Sequence, residues 1–551
     1  MTLIRVHPRL LRSSVFTVLV LIFVPPAFAV RVERLIDTWR PEHYLVNITL
    51  NDQLSEITSA SARINILVLK PTNVIDLDFG ELTTSAVTVN ASPVPFTHKD
   101  GKLQLNLPQR VNPGTRLVVT VDYHGTPKEG LIFSKDKDGQ PSAIGDNWPD
   151  RVHHWIPTLD HPSAKATITF NITAAAREEV VANGRLDHVE TSANGQRTWT
   201  YSEGVPIPPY CMMIGVGQFA RVEPAQSSLT PLAYYVTQSE RHLAEKGFSP
   251  TTPSLQFFTQ TIAPYPYEKL AMIVGATRYG GMENSSAIVF ASTLLTKPGP
   301  EGLSKTYGIR GANVSLIAHE IAHQWFGDSV TESTWADLWL SEGFATYFAG
   351  LVLQRYEGED VFQKYMSQAA ANAFTYEKKK LTPIHDRETE DLMALLNAMN
   401  YQKGAWVLHM LRSRLGDDAF FRGIRSYYEA HKNSVASTED LRAALEKASG
   451  KNLRPFFTRW VYDSGHPQYE LTWEWLARKR QLRLVLKQAQ SANVFTDPVP
   501  ITITTSSGAR DIILKPSGKQ LIETIPLREK PVRIEVDPHN TLLDEAIIKP
   551  V

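Results

Sequence analysis

The chain has 551 residues, and its 57 Lys and Arg residues balance 57 Asp and Glu residues, so the formal net charge is zero. This balance lacks the basic excess of a nucleic-acid-binding surface, and we expect no nucleic-acid partner. The length exceeds what one hydrophobic core can serve and predicts roughly two to four domains. The single cysteine, Cys211, excludes an internal disulfide and is expected to be an inert core residue.

The N-terminus has the pattern of a secretory signal peptide. A positive region, an apolar core and a small-x-small cleavage site follow one another as Arg5, Arg9 and Arg12, then Val15–Val24, then Ala27-Phe28-Ala29. The apolar core is too short to span a bilayer, so we expect no stable membrane insertion after cleavage. The pattern predicts a signal peptide over residues 1–29 and an exported mature protein, periplasmic or secreted.

Hydrophobic periodicity divides the remaining chain into three domains, at residues 30–225, 226–464 and 465–551. The first and last show strand-like alternation, in Tyr44–Leu50, Leu117–Val121, Thr167–Ile172, Tyr469–Trp475 and Leu482–Leu486. The middle domain shows helical spacing, in Leu255–Ile262, Val314–Phe326, Leu338–Tyr356, Gly404–Leu415 and Leu441–Ala448. We therefore expect an N-terminal β-domain, a helix-rich α/β domain and a C-terminal β-sandwich.

The segment His319-Glu320-Ile321-Ala322-His323 is typical of a zinc site. Histidines at i and i+4 lie on one face of a helix, so both imidazoles can reach one metal ion. Glu320 between them is not a ligand in this arrangement and is expected to act as the general base for the attacking water.

Glu342 is the candidate third ligand. It lies in an otherwise apolar segment, where a carboxylate is costly unless a charge or a metal pairs with it. Two histidines and one glutamate leave the fourth tetrahedral position open, which is the arrangement of a catalytic zinc. The sequence thus predicts one Zn²⁺ per chain.

With these residues, Val314–Tyr347 resembles the core of the aminopeptidase N-like gluzincins, a family that includes leukotriene hydrolase. Three further segments match the family's motifs in the same order: Trp155-Ile156-Pro157 with Asp160-His161-Pro162, then Gly280-Gly281-Met282-Glu283-Asn284, then Tyr401-Gln402-Lys403-Gly404. The resemblance implies an N-terminal β-domain, a thermolysin-like catalytic domain and a β-sandwich. It also implies that the helical C-terminal domain of larger members is missing here.

The resemblance also implies the remaining site residues. Tyr401 would donate a hydrogen bond to the oxyanion of the tetrahedral intermediate. Gly280, Gly281, Met282, Glu283 and Asn284 would bind substrate, and Glu283 would make a charge-assisted contact with its free α-ammonium group. We therefore predict a zinc aminopeptidase that acts on peptides with a free N-terminus.

Three positions depart from the family pattern or lack a secure alignment. The family usually has alanine at Gly281 and asparagine at Ser341. Asp146 could supply a second amine anchor from the N-terminal domain. His153, His154 and His161 have no spacing relation to the zinc motif, and we expect none of them to bind the metal.

Alternatives remain open at this stage. The motifs are also compatible with a zinc endopeptidase, with a member that opens an epoxide, and with an inactive peptide-binding protein. Inactive relatives usually lose a metal ligand or the general base, whereas this chain has all three candidate ligands and Glu320. The sequence leaves the preferred N-terminal residue and the oligomeric state undetermined.

Overall fold

The molecule is represented by a computed structural model. It describes residues 31, 33, 36–225, 230–296, 313–491 and 493–551, together with the backbone of 303–304 and 309–310. The predicted signal peptide, residues 1–29, lies outside the described residues.

The N-terminal part is built from strands, as predicted. They are β1 (Trp39–Leu50), β2 (Ile57–Val68), β3 (Thr72–Asp78), β4 (Thr83–Val89), β5 (Ser92–Pro93), β6 (Phe96–Lys99), β7 (Lys102–Val111), β8 (Arg116–Gly125), β9 (Gly130–Lys135), β10 (Pro141–Asp146), β11 (Ala166–Ala175), β12 (Glu179–Ala182), β13 (Arg185–Thr191), β14 (Gln196–Ile207) and β15 (Ile214–Gly217). Buried residues alternate with more exposed ones along β2 and β8, which packs one sheet face on the core.

These strands form three sheets. The largest has the order β13-β14-β11-β1-β2-β8-β4-β5, and the smaller two are β3-β7-β6 and β12-β15-β10-β9. In the largest sheet β1 pairs with β2 in antiparallel fashion and with β11 in parallel, with Tyr44 opposite Ile168. The strand-like runs predicted at Tyr44–Leu50, Leu117–Val121 and Thr167–Ile172 lie in β1, β8 and β11.

A fourth, mostly buried sheet follows. Its strands are β16 (Ala220–Val222), β17 (Leu232–Val236), β18 (Leu270–Gly275), β19 (Gly281–Met282) and β20 (Ala287–Ala291), in the order β16-β17-β18-β20-β19. β17, β18 and β20 are parallel and almost continuously apolar, as expected for strands covered on both faces. β19 runs antiparallel to β20 at the edge of this sheet, so one side of its backbone faces away from the sheet.

Helices pack beside this sheet. They are α1 (Ala244–Gly247), α2 (Thr251–Thr261), α3 (Val314–His323), α4 (Trp339–Glu357), α5 (Glu359–Glu377), α6 (Gly404–Leu415), α7 (Asp417–His431), α8 (Thr438–Ser449) and α9 (Arg454–Phe457). The short strands among them are β21 (Leu303–Ser304), β22 (Ile309–Arg310), β23 (Val330–Glu332) and β24 (Ser434–Ala436). The helical spacing correctly predicted α2, α3, α4, α6 and α8, whereas the long helices α5 and α7 and the single-turn helices α1 and α9 were missed. Within the described ranges, no helix combines the length and apolar character that a membrane crossing requires.

The last segment returns to strands. They are β25 (Gln468–Leu476), β26 (Gln481–Gln488), β27 (Val499–Thr505), β28 (Gly508–Leu514), β29 (Gln520–Pro526), β30 (Arg533–Val536) and β31 (Glu545–Pro550), in two sheets ordered β29-β26-β25-β31 and β28-β27-β30. Their buried side chains continue the core of the helical part without interruption. The domain boundary at residue 465 therefore stays a prediction.

A separate apolar cluster joins the N-terminal strands to the sheet formed by β16, β17, β18, β20 and β19. It brings Trp148 and Cys211 against Met282 of β19 and Trp335 before α4. Cys211 is fully buried, and its thiol donates to the Asp328 carboxylate at 3.3 Å. Burial raises the pKa of this thiol well above its ordinary value, so the cysteine is inert. The cluster fixes β19 between the two parts of the molecule.

Candidate active site

The three predicted ligand side chains meet between α3 and α4. The Nε2 atoms of His319 and His323 lie 3.0 Å apart, as expected for residues one turn apart on one helix face. Oε2 of Glu342, from the first turn of α4, lies 3.3 Å from the His319 nitrogen and 3.4 Å from the His323 nitrogen. The trio therefore forms a compact triangle of possible metal ligands.

The triangle fits a zinc ion. Zinc with tetrahedral bonds of about 2.0–2.2 Å separates its ligand atoms by about 3.3–3.6 Å, close to the three distances. Oε2 of Glu342 is buried, and apart from the two histidine nitrogens no donor among the described residues reaches it. A buried carboxylate oxygen without any other donor requires an explanation, and a cation at the centre of the triangle supplies one.

The electrostatics of the trio also favour a positive charge. Burial alone disfavours ionisation of His323, but the Glu342 and Glu283 carboxylates outweigh it and raise the pKa of His323 to about 10. Burial likewise opposes ionisation of Glu342, yet the two histidines lower its pKa to about 2. The carboxylate is thus held charged and faces the histidine nitrogens.

A second set of contacts orients His323. Its Nδ1 atom lies 3.2 Å from the Phe326 carbonyl oxygen and 3.0 Å from the Ser341 hydroxyl. A proton on Nδ1 leaves Nε2 free to bind metal, so these acceptors select the ligating tautomer. Gly327 is required beside them because it has φ of +121°, and a Cβ there would lie 2.4 Å from the Ser341 oxygen.

We expect Ser341→Ala to weaken zinc binding by up to about 10-fold, the lower end of the effect of removing an outer contact to a ligand. The effect is limited because the Phe326 carbonyl still accepts from His323. Competition with a chromophoric chelator measures the affinity. Ser449→Ala is the matched control, since its hydroxyl donates to the Leu445 carbonyl within α8. Equal zinc affinity in Ser341→Ala and wild type would contradict the orienting role.

Tyr401 reaches the trio from a π-helical turn, Met399–Lys403, that precedes α6. Its hydroxyl donates to Oε1 of Glu342 at 2.7 Å, the oxygen that does not face the histidines. Its ring is parallel to the His319 ring, with centroids 5.9 Å apart. Tyr401 therefore lies beside the metal ligands, and irregular helical turns of this kind are frequent at functional sites.

The approach of Tyr401 to Glu342 depends on two glycines. Gly343 follows Glu342, and Gly404 begins α6; a Cβ on either would lie 3.0 Å from backbone atoms of the other. Lys403 is fully buried beside them and donates to Glu377 at 2.6 Å and to the Gly465 carbonyl at 2.9 Å. The sequence marked Lys403 and Gly404 only as parts of a motif, whereas the structure shows that they anchor and pack the turn that carries Tyr401.

Glu283 follows the edge strand β19 and is buried. Its carboxylate, the Glu320 carboxylate and a His323 ring nitrogen all lie within 4.8 Å of one another. Burial raises the pKa of Glu283 to about 7, and the neighbouring Glu342 adds to the effect. Burial and the nearby carboxylates likewise raise the pKa of Glu320 well above its ordinary value. A substrate ammonium group or a metal placed among these groups would relieve their repulsion.

Gly281 provides the space for the Glu320 carboxylate. A Cβ at residue 281 would lie 2.3 Å from Cδ and Oε1 of Glu320, closer than any real contact. The alanine that is usual in the family would therefore require the Glu320 side chain to shift. The glycine at this position is coupled to the position of the general base, a relation the sequence did not reveal.

One cavity of about 650 Å³ contains the site. It is lined by Trp148, Tyr279, Gly280, Gly281, Met282, Glu283, Asn313, Ser315, Leu316, His319, Glu320, His323, Glu342, Thr346, Tyr365, Leu396, Asn397, Ala398, Tyr401 and Gln402. Of the predicted site residues, Asn284 alone is outside this lining: it is fully buried, and its side-chain amide lies 3.5 Å from the Met282 carbonyl. Asn284 therefore contacts the loop itself and not the cavity.

The other candidates lie away from the trio. Asp146 does not line the cavity and accepts a hydrogen bond from the Arg278 backbone amide at 2.7 Å, so it is not placed to bind a substrate amine. His153, His154 and His161 pair instead with Asp160, Glu81 and Glu33. Each of these histidines thus has a carboxylate partner of its own.

Comparison with known proteins agrees with this geometry. Residues 248–460 match the peptidase family M1 domain, and residues 40–211 match the peptidase M1 N-terminal domain. The chain belongs to peptidase family M1. The M1 domain match contains the metal-ligand trio, Glu320, Glu283 and Tyr401, and the N-terminal match covers most of the first β-rich part.

Several curated M1 relatives are named aminopeptidases. Glutamyl aminopeptidase of Rattus norvegicus is 26% identical over 425 residues, which cover 73% of this chain and 44% of the relative. Probable aminopeptidase 2 of Sulfurisphaera tokodaii is 27% identical over 412 residues, covering 73% and 51%. Aminopeptidase M1-A of Oryza sativa is 26% identical over 492 residues, covering 84% and 54%. The chain thus spans about half the length of the curated relatives it matches.

Proposed function

We propose that this M1 chain is a zinc-dependent aminopeptidase that removes the N-terminal residue of peptides with a free α-amine. The observation that carries the proposal is the position of Glu283, whose carboxylate lies within 4.8 Å of Glu320 and of the ligand His323 in one cavity. An anionic group so close to the metal site can hold the substrate ammonium one residue from the scissile bond. The names of the matched relatives support the same class of reaction.

The residues of this chain divide the chemistry among them. His319, His323 and Glu342 would hold one zinc, which when bound polarises the scissile carbonyl and makes a water more acidic. Glu320 takes the proton from the attacking water and delivers it to the leaving amine as the C–N bond breaks. Tyr401 must exchange its present acceptor, Glu342, for the substrate oxyanion in order to stabilise it.

The edge strand β19 suggests how the peptide is oriented. Gly280 and Gly281 line the cavity, and β19 uses only one edge to pair with β20. The other edge offers backbone groups to an extended peptide, and glycine lets that peptide approach closely. Glu283 at the end of this strand would then stop the peptide at its first residue.

The finer features of the protein are also part of the proposal. We infer a thermolysin-like fold for the catalytic part and a β-sandwich for residues 465–551. The signal-like residues 1–29 support export to the periplasm or the exterior. The mass of the mature chain would show whether these residues are removed.

The decisive experiment combines metal analysis with a panel of fluorogenic aminoacyl substrates on the purified protein. We expect one zinc per chain, loss of hydrolysis on treatment with a chelator and recovery on addition of zinc. The panel also identifies the preferred N-terminal residue. Protein that contains no zinc after gentle purification, and gains no activity when zinc is added, would refute the proposal.

A further inference from the structure

Gln324 connects the metal-binding helix to the loop that carries Glu283. It directly follows the ligand His323, at the end of α3, and is fully buried. Its side chain reaches the turn Glu283–Ser286, which lies about 40 positions earlier in the sequence. The sequence motifs gave this glutamine no role.

All four hydrogen-bonding positions of the Gln324 amide are occupied. Nε2 donates to the Glu283 carbonyl at 2.9 Å and to the Asp328 carboxylate at 2.8 Å. Oε1 accepts from the Ser286 backbone amide at 2.8 Å and from the Tyr265 hydroxyl at 2.9 Å. A backbone carbonyl and a backbone N–H on opposite sides of the amide allow only one orientation of the side chain.

The turn that Gln324 holds is strained. Ser286 has φ of +61°, in the left-handed region that serine seldom adopts. Its hydroxyl is held by the N-terminal part, accepting from the Gly184 backbone amide at 2.8 Å and donating to Glu203 at 2.9 Å. Such a conformation persists only where its surroundings enforce it. On the catalytic side, Ala271 and Lys269 donate to the Ser286 carbonyl, and Gln324 supplies the side-chain bonds to the Ser286 amide and the Glu283 carbonyl.

We propose that Gln324 is a positioning residue that sets Glu283 against the metal ligands and thereby determines the selectivity for a free α-amine. This inference rests on the proposed function. Because Gln324 is next to His323 in the chain, the two bonds to Glu283 and Ser286 link the amine anchor to the metal-binding helix with a single side chain between them. Any motion of the turn relative to the helix must break at least one of these bonds.

The test uses a pair of fluorogenic peptides that differ only in N-terminal acetylation. The measured quantity is the kcat/KM of the free peptide divided by the kcat/KM of the acetylated peptide. Gln324→Met keeps the length of the side chain and removes all four bonds. Misplacement of a binding group by about 1 Å can cost about 100-fold, so we expect the ratio to fall by about 10- to 100-fold with zinc content unchanged. Tyr265→Phe is the matched control because it removes one bond to Gln324 and retains both bonds to the turn.

Two further measurements separate positioning from a general structural role. In a Glu283→Ala background, Gln324→Met should leave the ratio unchanged, because the anchor it positions is gone. Hydrogen exchange of the purified protein should become faster in the turn 283–286 in Gln324→Met and not in Tyr265→Phe. Gln324→Glu, which retains the acceptor oxygen and replaces the donor, substitutes for Gln324→Met if that variant does not fold.

The outcomes are distinct. An unchanged ratio in Gln324→Met, or an equal loss in the wild-type and Glu283→Ala backgrounds, overturns the inference. Wild-type protein that cuts neither peptide, or both equally, contradicts the proposed function instead. In that case the hydrogen exchange of the turn still decides whether Gln324 holds it, and unchanged exchange overturns the positioning role as well.

Discussion

Glu320→Gln is expected to lose most of the turnover while it retains one zinc per chain. The Glu320 side chain is not part of the ligand triangle of His319, His323 and Glu342. Glutamine has nearly the same shape, so it fits the space beside Gly281 that the glutamate occupies. It cannot accept the proton of the attacking water, and a general base typically contributes about 10²- to 10⁴-fold. Steady-state rates and metal content, measured on the same preparation, check the prediction.

The matched comparison for Glu320→Gln is His323→Ala, which should lose zinc together with activity. A rate for Glu320→Gln close to that of wild type would show that another group takes the proton. Loss of zinc from Glu320→Gln would instead mean that the ligand set is wrong. The two variants thus separate the base from the ligands.

Glu283→Ala should have the second largest effect, and only on peptides with a free N-terminus. A lost charge-assisted hydrogen bond in a buried site corresponds to about 1.5–3 kcal/mol, or roughly 10- to 150-fold. Acetylation of the substrate removes the other partner of the same contact. The variant and the acetylated peptide together form a cycle in which the two losses should be strongly non-additive.

The kcat/KM values of both peptides, with wild type and with Glu283→Ala, complete this cycle. Glu283→Gln is a graded control, because it keeps an acceptor oxygen without the charge and should fall between wild type and alanine. Additive losses, or equal cleavage of both peptides by wild type, would exclude Glu283 as the amine anchor. The protein would then be better described as a zinc endopeptidase.

The sequence predicted those parts of the site that have a local signal. His319 and His323 are one helical turn apart, so their spacing alone placed both nitrogens at one point. Glu342 was predicted from the cost of burying a carboxylate in an apolar segment. Glu283 and Tyr401 depended on resemblance to a family, because neither has a local pattern that distinguishes it from an ordinary loop or core residue.

The contacts that hold the site were not predictable, because their partners are distant in the chain. Gln324 bonds to Glu283 across 41 positions, and Lys403 to Glu377 across 26. The hydrophobic periodicity of a sequence contains no signal for a single side-chain amide or ammonium group whose hydrogen-bond acceptor is distant in the chain.

The missed helix α5 has a related cause. Its buried stripe has helical spacing but weak apolar contrast, and consists of Phe362, Met366, Ala369, Ala373 and Glu377. Alanine gives little hydrophobic signal, and Glu377 is buried only because Lys403 and His466 pair with it. α7, by contrast, has larger buried side chains, and its stripe could have been recognised.

The direct contact of the Gly343 and Gly404 backbones has a consequence for how this protein can vary. No side chain lies between the segments that carry Glu342 and Tyr401, so their separation is the closest approach of two main chains. Substitutions elsewhere in the core can change side-chain volumes without altering that separation. The distance between the segments that carry Glu342 and Tyr401 can therefore stay the same while other core residues are substituted. Only a change at one of these two glycines would alter it directly.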